Sequence, residues 1–557
     1  MIAPHGNTKP GCSTRDRKVQ QSADAAVAHG VMKEMTMRLQ QWPCICLAIV
    51  ATLAKCLWCN AQDSSTPIDV GSRKQLFVDE RFIASSRGVQ LTMNPAVKMN
   101  EPVLASYIPW EGDQGASATS YSSVLKDGDK IRIWGAGKAL LPVRLKARGP
   151  IIERFAYAES TDGIRFTTPD SSLLLQDEDL TELSKHGRTG GVAVWIDPQA
   201  PPSQRYKTQA KFYPPASPAE FHICASPDGY RWTLLCRPTI GEMDTQSVAF
   251  WDERIQRYVL YTRRNPLAHT PRRYRVIRRL ESADLLDWRN EVFVMQADEI
   301  DRSIYESPTP QPPVDYYGAA VFKYPEDSPD GVYIMLAQAF WHWQRRPLEQ
   351  RYGGYSDHKS EFEVLAPATL DVRLAVSRDG IHFQWVGDRK PFIGLGLAGT
   401  FSAKRTWALP NPIHMDRELW IYYFGENRDH DNFIDPAASR YLCGIDRAVL
   451  RLDGFVSADA DYGGGEIITP LIIFDGRRLE LNVDAGAGGS ARLELLDKHG
   501  QPVSGYTLED ALPLSGNSLC MPVTWGGKAD LEELAGKPIR IRFVMRDCKL
   551  YAFQFVK

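Results

Sequence analysis

The chain has 557 residues, with 66 Lys and Arg against 68 Asp and Glu, and 43% of it is hydrophobic. That balance excludes wholesale disorder and collagen-like structure, and the lack of a basic excess argues against a nucleic-acid protein. The length calls for two or more domains, or one large repeat with an added module, and 42 Gly, 37 Pro, 14 Trp and 22 Tyr suit a β protein with many turns.

Residues 1–36 are polar and aperiodic and read as an upstream extension, with Met35 or Met37 the better start. The apolar run from Pro43 to Ala54 follows Arg38 and ends near Asn60-Ala61. It is too short to span a bilayer, which takes ~20 apolar residues. A basic start, a short apolar core and a small-residue end read as a secretory signal cleaved after Ala61. Residues 1–61 are therefore expected to be extension and signal peptide, and the mature protein to be secreted or periplasmic with no stable membrane span. The mature chain would keep Cys224, Cys236, Cys443, Cys520 and Cys548. Their odd number leaves at least one unpaired. Cys224 and Cys236 flank a predicted hairpin turn and are candidates to bridge it. No Cys/His spacing for zinc appears.

After Gln62, short alternating runs replace helical periodicity, the pattern of an all-β protein. One turn recurs: Ser160-Thr-Asp162-Gly163-Ile-Arg-Phe166, Ser226-Pro-Asp228-Gly229-Tyr-Arg-Trp232 and Ser377-Arg-Asp379-Gly380-Ile-His-Phe383, with a degenerate copy at Ser282-Ala-Asp284-Leu-Leu-Asp-Trp288. Ser and Asp close such a turn on backbone N–H groups, Gly takes the φ > 0 position, and the aromatic packs beneath. Hairpins alternate with the turns, over Ser122–Trp134, Val192–Phe212, Gln246–Tyr261, Ala319–Leu336 and Ala408–Tyr423. Leu452-Asp453-Gly454-Phe455 reads as a worn fifth turn. Five hairpins, each followed by a turn or its remnant, predict a five-bladed β-propeller over 70–455. The long gap before Ser377 holds an insertion from about Trp341 to Val364, the kind of loop that serves a binding face. Residues 456–557 lack the turn and show short strands with Gly-rich turns, predicting a C-terminal β-sandwich. The expected fold class is all-β, a five-bladed propeller followed by a sandwich, in a monomer.

On these turns, and on a propeller followed by a sandwich, the chain resembles the five-bladed propeller glycoside hydrolases, the grouping of families 32, 43, 62, 68 and 130. It also resembles secreted bacterial propeller-plus-sandwich proteins, which share phrases like Leu76-Phe-Val-Asp79-Glu80, Asp244-Thr-Gln-Ser-Val-Ala-Phe-Trp251 and Leu419-Trp-Ile-Tyr-Tyr423. The resemblance covers roughly Phe77 to the C-terminus. It implies carbohydrate as the partner, and two carboxyl groups flanking a glycosidic bond, one acid and one base or nucleophile. In those families the acids sit at the starts of innermost blade strands. That places the candidates at Glu111 and Asp113 on blade one, Asp244 on blade three and Glu306 on blade four. Blade two offers no acid, a departure from the family pattern, and the family-32 motifs are absent. Asp79 is expected to close the propeller or form a salt bridge.

For holding substrate, the candidates are the loop aromatics Trp110, Trp341, His342, Trp343 and Trp407, with Arg188, Gln246, Lys404, Arg405, Asn411 and Arg428. Trp134, Trp195 and Trp420, inside alternating strands, read as core. The cations would favour acidic or sulfated sugars. No cofactor and no catalytic metal are expected. The oxygen-rich run Asp429–Asp435 is a candidate for a structural calcium but lacks EF-hand spacing. The function expected is a glycoside hydrolase acting on polysaccharide-derived sugars. Its rivals are a non-catalytic carbohydrate-binding propeller, favoured by the missing blade-two acid, and a glycoside phosphorylase, hinted at by Lys404-Arg405.

Overall fold

Each predicted turn closes on its own residues. Ser160 Oγ accepts from the Gly163 amide at 2.9 Å, and Asp162 Oδ1 accepts from the amides of Ile164 and Arg165 at 2.8 and 2.7 Å. The same bonds recur at Ser226–Asp228 and Ser377–Asp379. They recur at Ser282–Asp284 too, where Leu285 stands in the glycine's place at φ 68°. That conformation costs a non-glycine residue roughly 1–2 kcal/mol, and burial of the Leu285 side chain in the neighbouring core offsets it.

The computed structural model describes residues 66–107, 121–137, 154–167, 188–213, 220–241, 243–264, 274–304, 313–326, 328–342, 368–428 and 441–557. Ile68–Lys557 form one compact unit. The expected signal segment lies outside the described residues. Among those that are described, no helix is long and apolar enough to cross a membrane.

Five antiparallel strand sets follow one another. The first comprises Ser122–Asp127, Lys130–Gly137 and Arg154–Ser160. The second is Arg188–Ile196, Tyr206–Tyr213, Glu220–Ser226 and Thr233–Cys236. The third is Asp244–Asp252, Arg257–Arg264, Val276–Ser282 and Trp288–Met295. The fourth is Val314–Tyr324, Val332–His342, Ala368–Ser377 and Gln384–Trp385, and a single parallel contact, Leu370 against Arg405, joins it to the fifth. The fifth is Arg405–Ala408, Ile413–Met415, Glu418–Glu426 and Leu442–Arg451. Its outer edge is completed by strands from far upstream, Val97–Lys98 and Leu104–Tyr107.

The sets are locked in a ring. The first strands of sets one to four touch in succession, and a separate apolar cluster fills each of the interfaces one–two, two–three and three–four. Aromatic groups then bond the turn of the next set. The Trp134 indole donates to Gly229 O at 2.8 Å, the Tyr261 hydroxyl to Gly380 O at 2.8 Å, and the Tyr324 hydroxyl to Asp453 Oδ1 at 2.6 Å. The Tyr422 hydroxyl of set five donates to Gly163 O of set one at 2.7 Å, so the last set returns to the first. This latch explains the glycines. A Cβ on Gly229, at φ 79°, would sit 2.9 Å from the Trp134 ring.

The C-terminal residues form two antiparallel sheets around one shared core, in which Leu479, Leu481 and Phe553 meet Ile467, Ile541 and Phe543. The sequence reading assigned residues 70–93 to the propeller. Their strands pair instead with the C-terminal sheets: Gln75–Leu76 with Ala552–Phe553, Ser85–Arg87 with Glu466–Ile468, and Val89–Met93 with Val456–Ala460. Strands this short carry no local signal of which sheet they join. Asp453, in the worn fifth turn, ties the parts together, accepting from Tyr324, from Lys74 Nζ at 2.9 Å and from Asn482 Nδ2 at 2.8 Å. Asp79 forms the expected salt bridge, to Arg378 at 2.8 Å. Cys224 and Cys236 do not bridge. In the strand register they face Leu234 and Ile223, and none of the five cysteines among the described residues is in a disulfide.

Candidate functional site

Antiparallel pairing puts the start of every first strand at the edge opposite the Ser-x-Asp-Gly turns. This entrance edge is where the resemblance places acids. Asp244 opens the first strand of set three, its Cα opposite Arg263, and Arg188 opens that of set two. For both residues, and for His342 at the end of its strand, only the backbone is described. Trp110, Glu111, Asp113, Glu306, Trp343 and the run Asp429–Asp435 lie outside the described residues.

The described side chains at this edge form two linked groups. Asp315, second residue of its strand and buried, accepts from the Arg275 amide at 3.1 Å and pairs with its guanidinium at 3.2 Å. That guanidinium lies 4.5 Å from the Phe340 ring, which stacks on Tyr317. Arg263 covers Tyr317 at 4.3 Å and donates to the Tyr317 carbonyl at 3.3 Å. The Tyr317 hydroxyl meets that of Tyr121 at 3.3 Å, and Trp407 sets its edge against both rings. In set five, Glu426 pairs with Arg405, accepts from the Tyr441 hydroxyl at 2.8 Å, and lies 3.5 Å from Arg428 Nε. Arg428 in turn covers Tyr441 at 4.5 Å. Contacts at this distance attract a guanidinium to the face of an aromatic ring.

A third group is buried between sets three and four. Asp301 accepts from Tyr316 at 2.8 Å and pairs with Arg373 at 3.3 Å and Arg389 at 2.6 Å. Beside it, Asp371 accepts from the Trp341 indole at 2.9 Å and lies 3.8 Å from Arg373 Nε. Burial pushes the Asp371 carboxyl up to about 6, partly offset by the Arg373 charge and the indole bond.

Several predicted ligand-holding residues turn out to hold the protein. Gln246 is buried, and its carboxamide nitrogen donates to Ser122 O at 2.6 Å and Val192 O at 2.8 Å, bracing sets one, two and three. Asn411, at φ 69°, donates to Val124 O and Val194 O from set five. Sequence reading could not see that carbonyls of other sets would claim these amides. Trp341 is buried under Arg373 at 4.6 Å, and Trp407 is buried as well. Arg405 is spent on Glu426, so Lys404-Arg405 is not a free pair of cations; Lys404 itself is half-buried at the strand entrance. Trp134 and Trp195 are core, as expected, and Trp420 is partly buried. Among the described residues no cluster of three or more ligating side chains is placed to hold a metal ion.

Asp315 and Tyr317 are not among the sequence candidates because both precede the expected start of their hairpin, and Arg275 carries no local sign of its partner Asp315, 40 residues on. The fourth hairpin was expected to begin at Ala319, whereas its strand begins at Val314.

No family model and no curated protein matches the chain. Solved structures of similar fold include an N-acetylgalactosamine deacetylase from F. plautii in complex with blood group B trisaccharide, at 13% identity and TM-score 0.41, covering 66% of this chain and 96% of that one. A thermostable family-43 glycoside hydrolase superposes at 12% identity and TM-score 0.39, covering 63% and 95%. A fructofuranosidase from Schwanniomyces occidentalis complexed with fructosylnystose gives 11% identity and TM-score 0.34, covering 83% and 99%. Likeness this loose carries no function to the chain.

Proposed function

We propose that this chain is a secreted glycoside hydrolase-like protein, in which the five strand sets form a five-bladed propeller whose funnel opens at the entrance edge. The supporting observation is the closed ring of braces, in which Gln246, Asn411 and Tyr422 each bond carbonyls of other sets. Such a ring gathers the starts of the first strands, Asp244 among them, around one axis. In this reading Asp244 is the base or nucleophile and Glu306 the acid, with Glu111 or Asp113 as the third carboxyl group. A separation of about 5–5.5 Å between the working pair gives retention at the anomeric carbon, and roughly 6.5–9.5 Å leaves room for a water and gives inversion. Purified protein should release reducing ends from at least one member of a polysaccharide panel. Asp244→Asn and Glu306→Gln should each lower that rate by about 100-fold or more, with Glu306→Gln far milder on activated aryl glycosides. Release that survives both changes unaltered sinks the assignment.

A binding-only propeller is the second reading. It is favoured by the fact that the described entrance carboxylates, Asp315 and Glu426, are both committed to arginines. Calorimetry showing sugar binding with no reducing ends released from any panel member would select it.

A further inference from the structure

We infer that the indole N–H of Trp407, at the entrance edge, donates a hydrogen bond to a hydroxyl oxygen of the bound sugar. This rests on the glycan reading above and names a contact residue within the same site. Trp407 is 2% exposed, and its Nε1 meets no acceptor among the described residues. The indoles of Trp134, Trp288 and Trp525, by contrast, each donate to a backbone carbonyl at 2.8 Å. A buried donor without an acceptor is costly and uncommon in a native fold. An indole N–H can only donate, so the group that answers it must bring an acceptor. The ring of Trp407 serves the fold, and its N–H is left over.

Trp195 and Trp251 also meet no acceptor among the described residues, so an unanswered N–H alone does not make a contact. Each of those two is the last residue but one of its strand, at the turn edge. Trp407 is set apart by its place. It is the third residue of the first strand of set five, Tyr121 directly precedes that of set one, and Tyr317 is the fourth residue of that of set four. Rings from three sets therefore meet at the strand starts, Tyr121 at 6.1 Å and Tyr317 at 5.9 Å from Trp407, both nearly perpendicular to it. Phe424, its partner in the strand register, packs against it at 5.6 Å, and the Arg405 guanidinium lies 5.0 Å from its ring. An indole buried among these groups has little side-chain freedom left to lose when a ligand binds. Ligand sites combine apolar and aromatic walls with a few polar groups that set orientation. A sugar suits both, because its C–H faces are apolar and its hydroxyl oxygens accept.

The test uses the full chain, with xylo-, arabino-, galacto-, manno- and fructo-oligosaccharides as probes. Calorimetry finds which of them bind. Trp407→Phe keeps an aromatic ring and removes the N–H, and it should bind the same sugar about three- to tenfold more weakly. Trp251→Phe, at the turn edge, should bind as the parent does. A second measurement follows the indole N–H signals of the parent by nuclear magnetic resonance, with isotope-labelled tryptophan. The Trp407 signal is recognised by its proximity to the Tyr121 and Tyr317 rings, so this readout stands even if Trp407→Phe fails to fold. On saturation with the sugar it should shift downfield, while the Trp195 and Trp251 signals stay in place. A Trp407 signal unmoved by a bound sugar, or unchanged affinity in a folded Trp407→Phe, overturns the contact and leaves the glycan reading standing. Failure of every probe sugar to bind overturns the contact and the glycan reading together.

Discussion

At the turn edge of the first strand set, Ser160 and Asp162 satisfy the backbone within a stretch of seven residues, and the same bonds recur at 226, 282 and 377. Among the described residues of the entrance edge, no such motif repeats. Arg405 finds its carboxylate 21 residues along, at Glu426, whereas Asp315 takes Arg275 from the preceding set. One edge is built from local hydrogen bonds that any copy of a short motif can make. The other is built from charges buried in pairs, each pair particular to its place. A repeat can therefore keep its turns while each copy's opposite edge diverges in chemistry, which is why the proposed site is assigned to the second edge.

The contrast can be broken hardest at the entrance. Glu426→Gln leaves Arg405 buried with no carboxylate, and losing one partner of a buried ion pair typically costs about 3–5 kcal/mol. Thermal or urea unfolding of this variant should show the largest loss of the set, and a loss near zero would mean that Arg405 reaches solvent or another acid.

The buried group between sets three and four sharpens the comparison through pH. Because burial raises the folded Asp371 carboxyl from 3.8 to about 6, the folded state holds its proton more tightly than the unfolded chain does. This contribution to stability is full below about pH 4 and is lost as pH rises through about 6, by at most about 3 kcal/mol. Unfolding free energies of Asp371→Asn and the parent, measured from pH 4 to 7, should diverge in slope across that window. Parallel curves would show that Asp371 is solvated.

On the turn edge the effects should be smaller and should separate by crowding. Gly229→Ala must hold φ 79° and place a Cβ 2.9 Å from Trp134, whereas Gly128→Ala, at φ 61°, meets open space. The second should cost roughly 1–2 kcal/mol from backbone alone, and the first clearly more. Equal costs would show that Trp134 yields. Smallest of all, Tyr422→Phe removes the hydroxyl that latches set five to set one, at about 1 kcal/mol. Hydrogen exchange at the Gly163 turn should quicken in this variant while the Gly380 turn stays as it was.

The sequence by itself determined the turns, the hairpins between them and the change of texture after Asp453, because each is a short-range pattern of side chains acting on nearby backbone. It also placed Asp244 directly before the first strand of set three, and the strand begins at Asp244 itself. Tertiary structure alone decided which strands complete which sheet. Val97–Lys98 closes the fifth set and Val89–Met93 joins the C-terminal sheets, although only a few residues separate them. It also decided the use of polar side chains that look alike in sequence: Gln246 and Asn411 went to braces between sets, and Arg405 went to Glu426. A buried amide or guanidinium goes to whichever partner the fold brings within about 3 Å, and for these residues that partner lies on another strand, often of another set.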